Sequence, residues 1–438
     1  MDRFRTDELL LYCLRVVPDE AGYGRLETLS SSDWDVLIED SGRYGLAPLL
    51  YHHLRTLHSD IPIPANVMER LRHIYLQSAG RGMHLYHELG KVLRLLRHAN
   101  IPVIVLKGAH LAELVYGNIA LRPMRDVDVL VHKDDLMRVE AVLLGMGYAP
   151  AECHRQIAKD NFNFVYGLPN QELFVEVHWN FMPSMYRFKI DIDGQWERSK
   201  QATIAGVEVS VLCPEDLLLY LCRHTSAWHL FEMGLKPLYD IFETIRYYGK
   251  EIDWKQVQLR SEQWGEAKCV YLTFRLAREL LGASVPDDLM KAITPSDFDE
   301  RFMVLAKERI FAYGHWNSYG LSLSPTIAQL WGSKRLLNKG SLFLGRALSR
   351  VFSSPEEVAR EYTAPSNSIR IYFYYPVRIK DLLLRHGREV WQLLRRNEGM
   401  RRLARQEEDV APLRDWLMSP WGYTRGGGSD GKVRSTCV

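Results

Sequence analysis

The segment RDVDVLV, residues 125–131, places two acidic residues inside an otherwise apolar run. Strict alternation of this kind is typical of a β-strand, because successive side chains of a strand point to opposite faces. Asp126 and Asp128 therefore share one face, and the opposite face carries the valines that we expect to pack into a core: Val127, Val129 and Val131. Taken alone, the pair is most simply interpreted as solvated acids on an edge strand. The neighbouring segments show whether the two acids could instead belong to a functional site.

The segment before this strand has the features of a phosphate-binding turn. VIVLKGAHLAEL, residues 103–114, predicts a short strand, a turn at Gly108 and a helix. The first backbone N–H groups of a helix are free to bind a phosphate, and a glycine lets the backbone approach it closely. Lys107 at the turn and Arg122 just before the acids could neutralise phosphate charge.

A third acidic residue follows in a predicted β-hairpin. NFNFVYG and LFVEVHWNF, residues 161–167 and 173–181, are two strand patterns joined by a short polar link. In the second strand Glu176 shares a face with His178. If this strand lies beside the aspartate strand, three carboxylates converge, and they repel one another unless a cation lies between them. Divalent ions with oxygen ligands supply such a cation in two-metal phosphoryl transfer.

Composition excludes several classes of protein. The 438-residue chain has a formal net charge of +2, which gives no overall attraction to nucleic acid. Its six cysteines are scattered without a CxxC pair, which argues against a disulfide framework or a cysteine-rich zinc site and is typical of a cytoplasmic protein. The first residues lack the pattern of a signal peptide, and no apolar run has the length of a membrane span.

The periodicity along the chain predicts an α/β core flanked by helices. We expect a small mixed β-sheet in the core, and five regions in all: an N-terminal helical region at 1–98, the α/β core at 99–212, a helical domain closing the cleft at 213–300, a basic helical extension at 301–420, and a disordered tail at 421–438.

Two further groups of residues have competing interpretations. Lys236 and Asp240 lie four residues apart on one predicted helix face, which favours an intrahelical ion pair. His224 and His229, near Cys222, could suggest a metal site, but their apolar helical segment favours a core or surface role.

The quoted motifs together resemble a known family. IPVIVLKGAHLAELVYGN, LRPMRDVDVLV and VEVHWNF, with the helical segments SDWDVLIEDSGRYGLAPLLYHHL and PEDLLLYLCRH, are similar to the uncharacterised nucleotidyltransferase family of bacterial proteins, within the DNA polymerase β-like superfamily. The resemblance implies a small mixed sheet, a glycine-containing phosphate turn, an aspartate pair that binds two Mg²⁺ (or Mn²⁺) and a carboxylate on a later strand. Gly108, Asp126, Asp128 and Glu176 match these positions. Ala109 stands where the superfamily usually has serine, so this turn lacks a hydroxyl group for the phosphate.

The expected reaction is Mg²⁺-dependent transfer of a nucleoside monophosphate from an NTP such as ATP to an acceptor hydroxyl. Asp126 and Asp128 would hold the metals, and Glu176 would complete a metal shell or take the acceptor proton. The residues expected to contact nucleotide are Lys107, Gly108, Arg122, Lys236 and Asp240; the last two are included because the resemblance places their helix at the cleft. Alternatives are a glycosyltransferase that uses the DxD pair, or an inactive binding protein of the same fold. The acceptor, whether small molecule, peptide or protein, is left open.

The C-terminal part of the sequence is locally basic. Residues 334–350 hold five lysines and arginines without an acid, and residues 369–405 mix arginines with aromatics and leucines. Helix faces packed on the body of the protein explain this pattern most simply. Weak contact with an anionic membrane surface or an acidic partner is the alternative.

Overall fold

The computed structural model describes residues 3–15, 26–56, 63–150, 162–168, 173–183, 187–313 and 409–420, with five positions between 373 and 380. The basic segment 334–350, nearly all of 369–405 and the tail 421–438 lie outside the described residues, as do the predictions made for them.

A seven-stranded mixed sheet forms the centre of the molecule. Its strands are β1 (Ile104–Val105), β2 (Asp126–Leu130), β3 (Ala149–Pro150), β4 (Asn163–Gly167), β5 (Phe174–His178), β6 (Lys200–Ile204) and β7 (Val207–Val211). They lie in the order β3-β4-β5-β2-β1-β7-β6. The pairs β2–β5 and β1–β7 are parallel, and the other neighbours are antiparallel. The predicted mixed sheet and the β4–β5 hairpin are confirmed, and the aspartate strand is central and not at an edge.

Helices precede the sheet, as the periodicity predicts. They are α1 (Arg3–Leu14), α2 (Ser31–Arg43), α3 (Ala47–Thr56) and the long α4 (Ala65–His98). A capping box starts α2, where Ser30 and Asp33 satisfy each other's backbone N–H groups. α4 ends just before Asn100, whose φ of 52° reverses the chain toward β1. In the described part of the chain no helix is both long and apolar enough to cross a bilayer.

The chain enters its next helix earlier than the glycine pattern predicts. The predicted turn at Gly108 is wrong, because α5 (Lys107–His110) already begins at Lys107 and continues as a π turn, Leu111–Val115. β1 is only two residues long, and the N–H of Leu106 donates to the Asp128 carbonyl at 2.9 Å. Gly108 therefore lies within the first helical turn, where a Cβ atom would stand 2.9 Å from Met124 Sδ.

More helices intersperse and follow the strands. They are α6 (Leu136–Gly145), α7 (Ile192–Glu197), α8 (Pro214–Arg223), α9 (Lys236–Tyr248), α10 (Trp254–Gln263), α11 (Ala267–Leu281), α12 (Asp287–Ala292) and α13 (Arg301–Phe311). Residues 409–418 form another helix. This helix joins α11 through Lys268, whose Nζ donates to Asp297 and Ser419 at 2.6 Å each and lies 5.3 Å from the Trp416 ring centre.

The two faces of the central strands have different environments. Val127 and Val129 of β2 join Val175 and Val177 of β5 in a core that also contains the second half of α4. This confirms that the valines of the aspartate strand point into a core. The other face of the same strands presents the acidic side chains toward the helices that follow the sheet, which is why the site forms there.

A fully buried ion pair joins the end of α8 to the residue that precedes α11. Arg223 and Glu266 form a hydrogen-bonded pair whose side chains are 1% and 0% exposed. Removal of one charge would leave the other buried and unpaired, which typically costs about 3–5 kcal/mol. We therefore expect Glu266→Gln to lower the urea midpoint of unfolding strongly.

The matched control is Asp35→Asn, which breaks the exposed pair of Asp35 with Arg70, where both side chains are about half exposed. Exposed pairs of this kind contribute less than about 1 kcal/mol. Equal shifts of the urea midpoint in the two variants would contradict the assignment of Arg223–Glu266 as a structural pair.

Candidate functional site

The site begins with the register of two parallel strands. Asp128 of β2 is the direct partner of Glu176 of β5, so the two carboxylates lie side by side on one sheet face. Asp128 is only 1% exposed. Between them His178 places its Nε2 atom 3.2 Å from Asp128 Oδ1 and 3.5 Å from Glu176 Oε2. Asn163 adds a hydrogen bond to Glu176 Oε2 at 3.3 Å. The sequence predicts that the carboxylates converge if the Glu176 strand lies beside the aspartate strand, and the pairing of β2 with β5 meets this condition.

A lysine from the start of α5 neutralises the buried aspartate. Lys107 Nζ lies 3.3 Å from Asp128 Oδ1. The same ammonium group donates to His224 Nε2 at 2.9 Å. The proximity of Lys107 to the aspartates agrees with the sequence-based expectation, but the contact with His224 joins residues 117 positions apart and had no signal in the sequence.

These contacts change the protonation equilibria of the cluster. Burial opposes the ionised form of Asp128, but Lys107 and His178 outweigh it and lower the pKa of this carboxyl group. Burial and the charge of Asp128 raise the pKa of Asp126. Burial alone would lower the pKa of His178, but its hydrogen bonds to Asp128 and Glu176 outweigh burial and raise this pKa. Burial and the nearby Lys107 charge lower the pKa of His224, so its neutral ring accepts a hydrogen bond from the Lys107 ammonium group.

The cluster has the donor atoms that a divalent cation requires. Within the described residues, Asp128, Glu176 and His178 are the group whose possible ligand atoms all lie within 4.8 Å of one another. Asp128 Oδ2 is buried and accepts no hydrogen bond from the protein. An unsatisfied carboxylate oxygen next to a second carboxylate suits Mg²⁺ or Mn²⁺, and the imidazole extends the choice toward transition metals. His178, interpreted from the sequence as a strand-face residue, therefore joins the group, whereas Asp126 lies outside this distance limit.

A buried ion pair fixes the loop before β2 to helix α9. Arg122 donates from Nε to Asp240 Oδ1 and from Nη2 to Asp240 Oδ2, both at 2.8 Å. Tyr116 donates its hydroxyl to the same aspartate at 2.9 Å. Arg122 and Asp240, both predicted to contact nucleotide, are thus bonded to each other. Asp240 pairs with Arg122 and not, as one interpretation held, with Lys236 on its own helix.

Lys236 and Gly108 also lie beside the aspartate loop. Lys236 Nζ donates to the Pro123 carbonyl at 2.7 Å. Burial and the charge of Arg122 lower the pKa of Lys236 to about 8. The Gly108 carbonyl accepts a 3.5 Å hydrogen bond from Arg122 Nη1. The structure therefore brings the sequence-predicted residues into one neighbourhood, while their direct contact with nucleotide stays a prediction.

The family of the chain follows from its sequence together with this geometry. Residues 30–282 match the family described as "Uncharacterised nucleotidyltransferase". The match spans more than half of the chain, so the protein belongs to this nucleotidyltransferase family, and the sequence-based prediction of a nucleotidyltransferase is confirmed at that level. No curated protein matches the chain.

Solved structures give distant likenesses. The antibiotic-resistance factor ANT(2'')-Ia is 12% identical with a TM-score of 0.30, and covers 41% of this chain and 91% of its own. The lincosamide antibiotic adenylyltransferase LnuA is 15% identical at 0.27, covering 36% and 96%. JHP933 from Helicobacter pylori is 15% identical at 0.27, covering 52% and 91%.

The lowered pKa of Lys236 predicts a pH-dependent stability. A lysine whose pKa falls from 10.5 to about 8 on folding binds its proton less tightly in the folded protein. Below about pH 8 the buried charge therefore destabilises the fold, and this cost disappears as the pH rises toward 10.5. We expect wild type to gain stability relative to Lys236→Met between pH 8 and 10.5 in urea unfolding measured at each pH. A constant difference between the two proteins across this range would contradict the shifted pKa.

Proposed function

We propose that the protein transfers a nucleoside monophosphate from an NTP to an acceptor hydroxyl and releases pyrophosphate. The observation that carries the proposal is the direct pairing of Asp128 with Glu176, with a buried oxygen of Asp128 that no protein group satisfies. Membership of the nucleotidyltransferase family supplies the reaction class. ATP is the NTP that we propose first, and the acceptor is open among small molecules, peptides and proteins.

Asp126, Asp128 and Glu176 would hold Mg²⁺, two ions in the full arrangement, with Mn²⁺ as a substitute. Asp128 and Glu176 fit this role, since they are paired in register, Asp128 Oδ2 is buried without a protein partner, and Lys107 and His178 outweigh burial and lower the pKa of Asp128, so that the carboxylate is ionised. Asp126 lies two residues before Asp128 on the same strand but outside the close group. When bound, the ions would neutralise the phosphate charge and lower the pKa of the acceptor hydroxyl.

Three side chains of the site, Glu176, Lys107 and His178, have separate roles in the proposed transfer step. The acceptor oxygen forms a bond to the α-phosphorus while the bond between this phosphorus and the bridging oxygen to the β-phosphorus breaks, and pyrophosphate leaves with that electron pair. Glu176, whose side chain is 26% exposed, can reach the acceptor and take its proton. Lys107 offers its ammonium group to a phosphate at the start of α5. His178 fixes the orientation of both carboxylates through its contacts with them.

Arg122 and Asp240 lie next to this cluster and bind each other. Their bidentate pair ties the loop before β2 to α9, and Arg122 also reaches the Gly108 carbonyl. We propose that they act in nucleotide binding by positioning the Lys107–Gly108 backbone, and that Lys236 acts by holding the Pro123 carbonyl beside the aspartates.

The alternatives receive less support. A DxD glycosyltransferase is expected to have a βαβ nucleotide-binding half before the acids, whereas the described residues between 3 and 98 form helices. An inactive binding protein would explain Ala109, but it gives no reason for an unsatisfied, ionised carboxylate paired with a partly exposed glutamate.

We propose a cytoplasmic location, which the four described cysteines agree with because they are buried and free. The boundaries at 98, 212, 300 and 420 are proposed as domain limits. Contact of the basic C-terminal region with an anionic surface or acidic partner is proposed as a weak and separate activity.

The first functional prediction concerns Asp128. Asp128→Asn removes the ionised ligand at the centre of the cluster, so we expect loss of both Mg²⁺–NTP binding and transfer. The measurement is a nucleotide titration by calorimetry next to transfer of label from each α-labelled NTP in a cell lysate. The control is Asp134→Asn, an exposed acid just beyond β2. Full activity of Asp128→Asn would contradict the proposed function.

The second functional prediction separates Glu176 from the aspartates. Glu176→Gln keeps the shape of the side chain but loses its basicity, and loss of a general base typically costs about 10²–10⁴ in rate. We expect near-normal Mg²⁺–NTP affinity, a slow single-turnover rate and partial recovery at high pH. Loss of nucleotide binding as severe as in Asp128→Asn would instead make Glu176 a metal ligand first.

A further inference from the structure

A distorted segment follows helix α8 and borders the site. His224, which contacts Lys107, begins a π turn that ends at Trp228. Thr225 and Ser226 donate their hydroxyls to the carbonyls four residues earlier, at 2.8 and 2.7 Å. A π turn of this kind widens a helix and occurs frequently at functional sites.

The backbone beyond this turn is strained and held in place. Leu230 and Phe231 have φ values of 46° and 63°, a region that such side chains rarely adopt. Arg309 of α13 donates from Nε to the Leu230 carbonyl at 2.7 Å. At Gly234, with φ of 74°, an added Cβ would stand 2.7 Å from Tyr44. Strain of this sort persists only where the surroundings enforce it, and it concentrates at ligand sites.

The segment from His224 to Gly234 carries a large aromatic side chain, Trp228, which is exposed beside the carboxylate cluster. Trp228 is 39% exposed, although the residues just before it are buried. Its ring packs edge-on against Phe162 with centres 5.0 Å apart, and Phe162 lies 5.9 Å from the ring of His178. The two rings therefore form a continuous aromatic border, which we call the Trp228–Phe162 edge, next to the histidine that contacts both carboxylates.

We propose that the Trp228–Phe162 edge stacks on the nucleobase of the bound NTP. The edge includes the exposed Trp228 ring, lies next to His178, and is followed by the strained backbone of Leu230 and Phe231. The inference rests on the proposed function. Nucleobases are planar, and an aromatic face stacks on any of them without base-specific hydrogen bonds.

The position of the edge favours the base over other parts of the substrate. Lys107 would bind phosphate, and His224 holds Lys107 at one end of the π turn while Trp228 stands at the other. The rings of His224 and Trp228 both pack near His229, with ring centres 4.5 and 6.4 Å from the His229 ring, so the two ends of the turn lie within the reach of a single nucleotide. A nucleotide with its phosphates at Lys107 thus carries its base toward Trp228.

Calorimetric titrations test the inference with two probes, each Mg²⁺–NTP and Mg²⁺–tripolyphosphate, which has no base. We expect Trp228→Leu to weaken binding of the preferred NTP by about 5- to 150-fold, the range that stacking on an aromatic side chain supplies. Trp228→Phe, which keeps a ring, should retain most of the affinity. Tripolyphosphate should bind all variants equally. Tyr247→Leu, at another exposed aromatic residue on α9, is the matched control and should behave as wild type.

Each remaining outcome is decisive. Equal weakening of NTP and tripolyphosphate in Trp228→Leu would show general damage to the site and overturn the inference. Unchanged NTP affinity in Trp228→Leu would overturn it too, and a slower transfer in that case would assign the edge to the acceptor. If wild type binds tripolyphosphate and NTP equally well, the base contributes nothing and the inference fails while the proposed function stands. Failure of wild type to bind any NTP would overturn the proposed function itself.

Discussion

The charge of Asp128 is the constraint on which the rest of the site depends. A carboxylate buried in a central strand is stable only with cationic or hydrogen-bonding partners, because an unpaired ion in the interior is expensive. Lys107 and His178 meet this requirement at one oxygen and leave the other without a protein partner. Asp240 differs, because both of its oxygens accept hydrogen bonds. Glu266 also has a buried oxygen without a partner, so the feature that sets Asp128 apart is the second carboxylate, Glu176, directly beside it.

The helices after the sheet are parts of the site and not only its cover. α8 leads into His224, which binds Lys107, and α9 carries Asp240, which fixes Arg122. The buried pair Arg223–Glu266 holds the end of α8, and Arg309 contacts the strained segment that links α8 to α9. Lys107 follows a two-residue strand and begins a four-residue α-helical segment, so its contacts with His224 and Asp128 supply much of what holds its side chain in place.

Much of the site could be predicted from the sequence because its strands have a strict period of two. The alternation around Asp126 and around Glu176 fixed which side chains share a face, and the resemblance to the family supported their convergence. Gly108 was wrongly predicted to form a turn, since a glycine in a helical turn gives the same local pattern. The contacts Lys107–His224 and Arg122–Asp240 had no local signal, because they join residues 117 and 118 positions apart.

These long separations bear on how the protein matures. Asp128 meets Glu176 across a parallel pairing, and Lys107 has no histidine partner until the chain has reached residue 224. Contacts between distant residues form late, because the loops between them must first close at an entropic cost. A nascent chain that has emerged only as far as β7 would hold its acidic residues without their full set of supports. The contact between Lys107 and His224 therefore forms only after the segment beyond the sheet has been synthesised.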